Sequence, residues 1–541
     1  MEVTMSTLTL RQRRARLRKQ WTRRVDVEGN AFWYCDTADD PANVTMAVVL
    51  SFEQIADSTA EAEAEPGPHP DFTSKSPDAA YVPSSPSCSD SSLSSAPTSL
   101  TLIALDVRTN ELNAEIRRHR QRLLPSADSD PLCCALSSVF PSQPSAFELL
   151  QLSQLSFPEK LAAFVTRTTD MSVAFAEETP LSSVIPRDHL MSKSVALLAG
   201  LPTDQLHRRL RIRFEGDVGI DAGGLYREWF LLLCDALVDP TNGVFVCVDR
   251  QEQVFHLNPN SRTVLGDNHL THVFAAGRFL GRALLEGNAT GFHLSLPLLK
   301  AVLGQPVTLR DLEFFDAELY KNLVWLLEND GVDALGLDFT VCETDEKGET
   351  RAVELLPNGS ETDVTDANKH EYVRLKMEYA VFTSVSPQLF AFLRGVYEVI
   401  PHELLLLLDA EELDFVLSGS DEIDVDDWER NTRYTPDLLN HPVRQWFWKM
   451  VREMSNEQRR RLLQFATGSS RVPLAGFSAL TSYDGKLCPF MLQGLHRGLD
   501  SYIRSHSCFN RLDLPRYEKK AELKIMMASI VSGQGAGFTM Q

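Results

Sequence analysis

Cys508 lies in a polar stretch near the end of the sequence, residues 505–517 (SHSCFNRLDLPRY). A structural cysteine usually lies among apolar residues, whereas Cys508 follows His506 by two positions and precedes Asn510 and Arg511. Partial positive charge and solvent access favour the thiolate, which is the nucleophilic form of cysteine. The residue types therefore permit covalent chemistry at Cys508. A partly buried, unreactive thiol is the alternative interpretation of this stretch taken alone.

The composition argues against several other kinds of site. The sequence contains nine cysteines, an odd number, and no Cys-x-x-Cys pair that would indicate a zinc or redox motif. We therefore expect neither a metal nor a cofactor. The net charge of −21, from 53 basic and 74 acidic residues, disfavours nucleic-acid binding because the phosphate backbone would be repelled. It leaves room for a basic protein partner.

No signal in the sequence directs it into or across a membrane. No apolar run approaches the ~20 residues of a spanning helix, and the first residues contain no apolar core suited to secretion. We expect a cytoplasmic protein, with the nucleus as a second location. Residues 11–24 (RQRRARLRKQWTRR) form a basic run. They would serve as a nuclear address or, in the interpretation we prefer, as the solvated face of a helix.

Residues 21–34 (WTRRVDVEGNAFWY) predict a β-hairpin that turns at Gly29. The hairpin resembles the first two strands of a WW domain, with Trp21 as the first tryptophan and Phe32 and Trp33 as the aromatic pair. That family uses a second tryptophan to complete its proline-binding slot, and none follows here. The resemblance therefore predicts a WW-like hairpin without a working site for proline-rich ligands.

The next hundred residues have the composition of a linker. Residues 56–101 are rich in Pro, Ser, Ala and acidic residues and poor in apolar ones, so they cannot bury enough surface to offset the entropy of ordering. Residues 105–124 have helical spacing and predict a short solvent-facing helix. We expect 1–55 to form the basic segment and hairpin. We expect 56–154 to form a mostly disordered linker that includes this helix.

Ordered, mixed structure is predicted from about residue 155 onward. Residues 210–245 predict a strand, a glycine turn and a helix from Gly223 to Val238. Two further helices are predicted over 272–287 and 311–330, the first carrying glycines suited to close helix packing at Gly277 and Gly281. Short alternating runs over 335–375 predict strands, with the Asn358-Gly359 pair as a hairpin turn. Helices over 441–454 and 456–468 meet at a capping box formed by Ser455 and Gln458, and Gly468 ends the second.

Several long blocks, in this order, resemble the HECT-type ubiquitin-protein ligase domain. They are LRIRFEGDVGIDAGGLYREWF, DLEFFDAELYKNLVWLLEND, VRQWFWKMV, RRRLLQFATGSSRVPLAGF and SHSCFNRLDLPRYE. The resemblance implies a bilobal α+β fold with a large, mostly helical N-lobe over 155–433 and a small α/β C-lobe over 437–541. It places the hinge at Tyr434, Thr435 and Pro436. It places the docking subdomain for the ubiquitin-conjugating enzyme at about 311–390.

The same resemblance implies an activity and assigns residues to it. Cys508 matches the cysteine that takes ubiquitin as a thioester from the conjugating enzyme before transfer to substrate lysines. His506 would support that thiol or simply lie at the surface, and Asp513 or the terminal carboxylate of Gln541 would assist the attacking lysine. Asn510 and Arg511 are expected to hold the loop. Phe538, four residues from the end, would support transfer.

Two other functions use the same residues. A cysteine protease would need a histidine base, and no histidine follows Cys508, although an upstream one could serve. A scaffold that binds ubiquitin or its conjugating enzyme without transfer would not need the motif around Cys508. The sequence therefore favours a ubiquitin ligase whose partners are ubiquitin, a conjugating enzyme and unidentified protein substrates.

Overall fold

The computed structural model describes residues 21–25, 31–35, 46–54, 100–108 and 151–532, the last range with gaps at 174–178, 217–223, 251, 345–349, 420–422, 470, 474–475, 481–486 and 496–501. The strands are β1 Trp21–Val25, β2 Ala31–Cys35, β3 Met46–Gln54, β4 Leu100–Arg108, β5 Leu181–Ile185, β6 Leu210–Phe214, β7 Phe245–Asp249, β8 Val254–Leu257, β9 His293–Leu294, β10 Val307–Thr308, β11 Thr340–Thr344, β12 Thr350–Glu354, β13 Arg433–Tyr434, β14 Met491–Leu495, β15 Arg504–His506 and β16 Arg511–Pro515. The α-helices are α1 Phe157–Val173, α2 Leu190–Gly200, α3 Gly224–Val238, α4 Ser261–Leu265, α5 His269–Glu286, α6 Leu296–Leu303, α7 Ala317–Glu328, α8 Lys369–Val381, α9 Ser386–Val399, α10 His402–Leu405, α11 Ala410–Ser418, α12 Val425–Arg430, α13 Pro436–Leu439, α14 Pro442–Glu453, α15 Asn456–Thr467 and α16 Lys520–Val531.

Buried apolar side chains form two separate cores among the described residues. The first gathers side chains from Trp21 to Leu417, and the second gathers side chains from Ile423 to Val531. Each core is contiguous in space, so each supports a lobe of its own. The N-lobe extends to Leu417 and the C-lobe begins at Ile423. This division confirms the predicted bilobal α+β fold.

Two helices in close contact, α5 and α9, form the centre of the N-lobe. A Cβ atom added at Gly277 on α5 would clash with the carbonyl oxygen of Phe392 on α9, and one at Gly281 would lie 2.7 Å from the Cβ of Val399. In the reverse direction, a Cβ at Gly395 would meet the backbone of α5. The predicted role of Gly277 and Gly281 in helix packing is confirmed, because only hydrogen fits between these backbones.

The N-terminal region contributes strands to the N-lobe. β1 and β2 form the predicted antiparallel hairpin, and both Trp21 and Trp33 are buried in the first core. β3 pairs along its whole length with β4 and, at Val48, with Val307 of β10. The predicted boundary at residue 155 is therefore wrong for these strands.

The linker assigned to 56–154 needs a matching correction. Residues 100–108 (LTLIALDVR) form β4, so the helix predicted over 105–124 does not begin at 105, and residues 109–124 lie outside the described part of the chain. The antiparallel pairing with β3 determines this structure, and helical spacing within a short window could not reveal that pairing.

Two elements of the predicted docking subdomain differ from expectation. The helix predicted over 311–330 is a 3₁₀ segment, Leu309–Phe314, followed by α7, because the Asp316 side chain accepts a hydrogen bond from Leu319 N and starts a new helix. The hairpin of β11 and β12 closes through 345–349 rather than at Asn358. Asn358 instead adopts a left-handed conformation, φ 59°, before a single 3₁₀ turn.

The C-lobe is built on a four-stranded sheet with the order β13-β14-β16-β15. β14 runs parallel to both neighbours, and β15 lies antiparallel to β16 at the edge. Trp428 of α12 stacks on Phe477 with ring centroids 4.9 Å apart and packs edge-to-face against Trp448 of α14. The capping box of Ser455 and Gln458 is confirmed, as is the end of α15 at a left-handed Gly468.

The predicted hinge at Tyr434, Thr435 and Pro436 is wrong, because these residues belong to the C-lobe sheet and the helix that follows it. Thr435 N donates to Leu492 O at 3.2 Å, and the Tyr434 hydroxyl accepts a hydrogen bond from Trp448 Nε1 at 2.9 Å. Pro436 starts α13, a position that proline favours, so it marks a helix start rather than a linker. The lobes are joined between Leu417 and Ile423.

Replacing Gly277 with alanine should destabilise the N-lobe by ~1–3 kcal/mol, because the added methyl group forces α5 away from α9. Denaturant titration followed by circular dichroism would measure this change in the free energy of unfolding. Gly200→Ala is the matched control, since a Cβ there would meet no atom within 4 Å. Equal stability of the two variants would contradict the close packing.

Proline at position 435 tests the corrected hinge. Thr435→Pro removes the N–H that donates to Leu492 O, so we expect the C-lobe to lose ~1–3 kcal/mol of stability. Thr435→Ser keeps this N–H and the hydroxyl that accepts a hydrogen bond from Gly494 N, so it is the matched control and should change C-lobe stability little. Tryptophan fluorescence during denaturation would report both. If Thr435→Pro were as harmless as Thr435→Ser, residues 434–436 would be the linker after all.

Candidate active site

Cys508 lies at the tip of a hairpin on the edge of the C-lobe sheet. β15 and β16 pair antiparallel with His506 opposite Arg511, and the 3₁₀ turn Ser507–Phe509 connects them. The residue after Cys508, Phe509, is 48% exposed, so this turn reaches the surface of the lobe.

Asn510 fixes the shape of this turn. It has a left-handed φ of 49°, which asparagine tolerates better than most residues, and it is fully buried. Its Nδ2 donates to Cys488 O at 2.8 Å, and its carbonyl oxygen accepts a hydrogen bond from Met491 N at 2.9 Å. These bonds tie the turn to β14, as expected for a residue that holds the loop.

His506 and Asp513, both predicted as supporting residues, are brought together across the hairpin. His506 Nε2 lies 2.9 Å from Asp513 Oδ2, and Arg511 Nε lies 3.0 Å from Asp513 Oδ1 as an ion pair without hydrogen-bond geometry. The Asp513 side chain is 9% exposed and that of His506 is 40% exposed. The buried carboxylate thus orients the imidazole ring, and part of the ring remains exposed to solvent.

Other cysteines in the described residues lack this setting. Burial raises the pKa of the Cys234 thiol well above its ordinary value, which keeps that thiol protonated and inert. Cys488 Sγ lies 3.3 Å from Phe509 O, in hydrogen-bonding contact, and the Cys488 carbonyl oxygen accepts a hydrogen bond from Asn510 Nδ2. Cys488 therefore supports the turn, which is a structural role.

Large apolar side chains are exposed in the turn and beside the segments that adjoin it. Phe509 of the turn is 48% exposed, Tyr502 just before β15 is 67% exposed, and Leu487, next to Cys488, is 73% exposed. Side chains of this size gain nothing from contact with water, and such exposure is typical of a protein-binding surface. Sequence reasoning missed this surface, because exposure of single apolar residues has no periodic signal.

Arg227 of α3 was also missed. It reaches from the N-lobe to the carbonyl oxygen of Ser507, beside Cys508. It belongs to the YREWF block on which the family resemblance rested, but the block itself does not indicate which residue contacts the other lobe. Phe538 and the carboxylate of Gln541 lie outside the described residues, so their predicted roles remain predictions.

Within the described residues, the His, Cys, Asp and Glu side chains include no group of three or more arranged to hold a metal ion. Within the same residues, no helix combines the length and apolar character required to cross a bilayer.

Comparison with known proteins places this site in a family. The model of the HECT domain, described as a ubiquitin-transferase, matches residues 231–541, which is more than half of the chain. The E3 ubiquitin-protein ligase TOM1-like of Neurospora crassa is 41% identical over 354 residues, covering 65% of this chain and 9% of the relative. The ligase ptr1 of Schizosaccharomyces pombe is 36% identical over 388 residues (71% and 12%), and UPL2 of Arabidopsis thaliana is 38% identical over 370 residues (66% and 10%). The chain spans about a tenth of the length of these relatives.

Proposed function

Since this chain belongs to the HECT family of ubiquitin transferases, we propose that it takes ubiquitin from a conjugating enzyme as a thioester on Cys508 and passes it to substrate lysines. The observation that carries the proposal is the place of Cys508, on a rigidly held turn at the edge of a lobe with its own core. A thiol on a separate lobe can meet a partner's thioester first and a substrate amine afterwards.

The first step is an exchange between two thiols. The Cys508 thiolate attacks the carbonyl carbon of the ubiquitin thioester, a new C–S bond forms, and the conjugating enzyme's sulfur leaves as a thiolate. One thioester replaces another, so the step is nearly isoenergetic and depends mainly on access and thiolate character. The exposed apolar residues Leu487, Tyr502 and Phe509 offer a surface on which the incoming protein can rest.

The second step forms the isopeptide bond. The neutral lysine amine attacks the thioester carbon, a C–N bond forms, the C–S bond breaks, and Cys508 leaves as a thiolate. The attacking nitrogen gives up one proton, which ends on the departing Cys508 thiolate or on water, and a positioned basic group speeds that transfer. Both oxygens of Asp513 already face His506 and Arg511, which favours Asp513 as the residue that orients His506 rather than as the base itself.

The docking subdomain for the conjugating enzyme is proposed at 311–390. Trp325 on α7 is 49% exposed and Leu335 is 47% exposed, and both lie in this region. Large apolar side chains left in water at the surface of a mixed helix and hairpin unit are typical anchors for a protein partner. This surface is separate in sequence from the turn that carries Cys508, consistent with a partner that binds one lobe and reacts with the other.

Cys508→Ala should abolish the ubiquitin thioester and all self-ubiquitination, because no other group receives ubiquitin. Non-reducing gels with labelled ubiquitin would show the thioester, and binding of the conjugating enzyme should persist. Cys247→Ala, at a partly buried cysteine of β7, is the matched control and should charge normally. Continued lysine ligation by Cys508→Ala would contradict the proposal. Peptide cleavage by the native chain would instead indicate a protease. Binding of ubiquitin or the conjugating enzyme without any adduct on the native chain would indicate a scaffold.

Asp513→Asn should slow transfer from Cys508 to lysine by about tenfold or more, because the amide no longer holds the His506 ring as a carboxylate does. Single-turnover discharge of the preformed thioester to free lysine would measure this rate. Glu457→Gln neutralises an exposed carboxylate on α15 of the same lobe and should discharge at the native rate. Equal rates for Asp513→Asn and the native protein would leave Asp513 with no part in the second step.

A further inference from the structure

Arg227 connects the two lobes at the turn that carries Cys508. Its Nη1 lies 2.8 Å from Thr467 O at the end of α15, 3.1 Å from Ser507 O and 3.3 Å from Asn510 Oδ1. All three acceptors belong to the C-lobe, and two of them belong to the turn. One guanidinium nitrogen therefore bridges the last turn of a helix and the residues on either side of Cys508.

The position of Arg227 is set by the N-lobe. Its neighbours on α3, Leu225 and Trp229, are buried in the first core, and Trp229 Nε1 donates to Ser194 Oγ at 2.8 Å. A helix anchored in this way cannot follow the C-lobe when the lobes move. The bonds of Arg227 therefore exist only while the turn lies against the body of the N-lobe.

The C-lobe side of the contact also suits a cation. Helix α15 ends at Thr467, and the carbonyl groups at the end of a helix carry partial negative charge. A Cβ atom at the following Gly468 would lie 3.7 Å from Arg227 Cδ and 3.6 Å from Ser507 Cβ, so the arginine stem and the turn both pack against the end of this helix at van der Waals distance. The three acceptors are fixed by backbone structure or by the buried Asn510, which makes the geometry specific.

We infer that Arg227 is a positioning residue for the second step of transfer. It holds the turn that carries the ubiquitin thioester against the N-lobe while lysine attacks. This inference rests on the proposed function of Cys508. Helix α3 lies outside the proposed docking subdomain at 311–390. Through Arg227, the turn therefore contacts the body of the N-lobe rather than that subdomain.

The test measures the two half-reactions separately in Arg227→Ala, Arg227→Lys and native protein. We expect Arg227→Ala to charge within about twofold of the native rate and to discharge to free lysine about tenfold or more slowly. Arg227→Lys should recover part of that loss, and added guanidinium ion should speed discharge of Arg227→Ala but not of the native protein. Arg187→Ala is the matched control, because Arg187 pairs with Glu228, the residue that follows Arg227 on α3.

Hydrogen–deuterium exchange supplies a readout that needs no ubiquitin. Residues 504–511 should exchange faster in Arg227→Ala, with the melting temperature unchanged. Discharge of Arg227→Ala at the native rate, or equal slowing of its charging and its discharge, would overturn the inference and leave the proposed function standing. Absence of any thioester on native Cys508 would overturn both. If Arg227→Ala fails to fold, Arg227→Lys is measured in its place. A native rate of discharge together with native hydrogen–deuterium exchange over residues 504–511 in Arg227→Lys would also overturn the inference.

Discussion

The separation of buried apolar side chains into two cores is the constraint on which the rest of this structure depends. Among the described residues, the first core ends at Leu417 and the second begins at Ile423. Each lobe can therefore keep its own packing while its orientation changes. The role proposed for Cys508, which requires the thiol to meet two different partners, needs this arrangement, since neither core has to be disrupted for the lobes to reorient.

Within the C-lobe, rigidity is concentrated at the turn. The left-handed Asn510, the parallel pairing of β14 with β16 and the contact of Cys488 with Phe509 O all hold the backbone on either side of Cys508. The paired side chains of His506 and Asp513 extend this order to the solvent-facing edge. The lobe thus presents a fixed reactive turn, and the freedom to move lies between the lobes rather than in the turn.

The sequence predicted the parts of this site that depend on local residue types. Ser455, Gln458 and Gly468 indicated the helix ends, because capping is decided by a few neighbouring residues. The block around Cys508 predicts the nucleophile in the same local way, and that role stays a prediction. The pairing of β3 with β4 was missed since its partners lie about fifty residues apart in sequence. The hinge was misplaced because Pro436 signals a break in the chain, whereas the paired strand before it is visible only in the folded sheet. Arg227 was missed for the same reason, as its acceptors lie in the other lobe.

The central claim is that one cysteine, at the tip of the β15–β16 turn, receives ubiquitin. The most direct test is to mix the native chain with a charged conjugating enzyme, quench in acid within seconds, and map the ubiquitin adduct by mass spectrometry without reduction. The account predicts the carboxyl terminus of ubiquitin attached to Cys508 and released by added thiol. An adduct on Cys488 or another cysteine, or ligation to lysine with no cysteine adduct at any time, would contradict it.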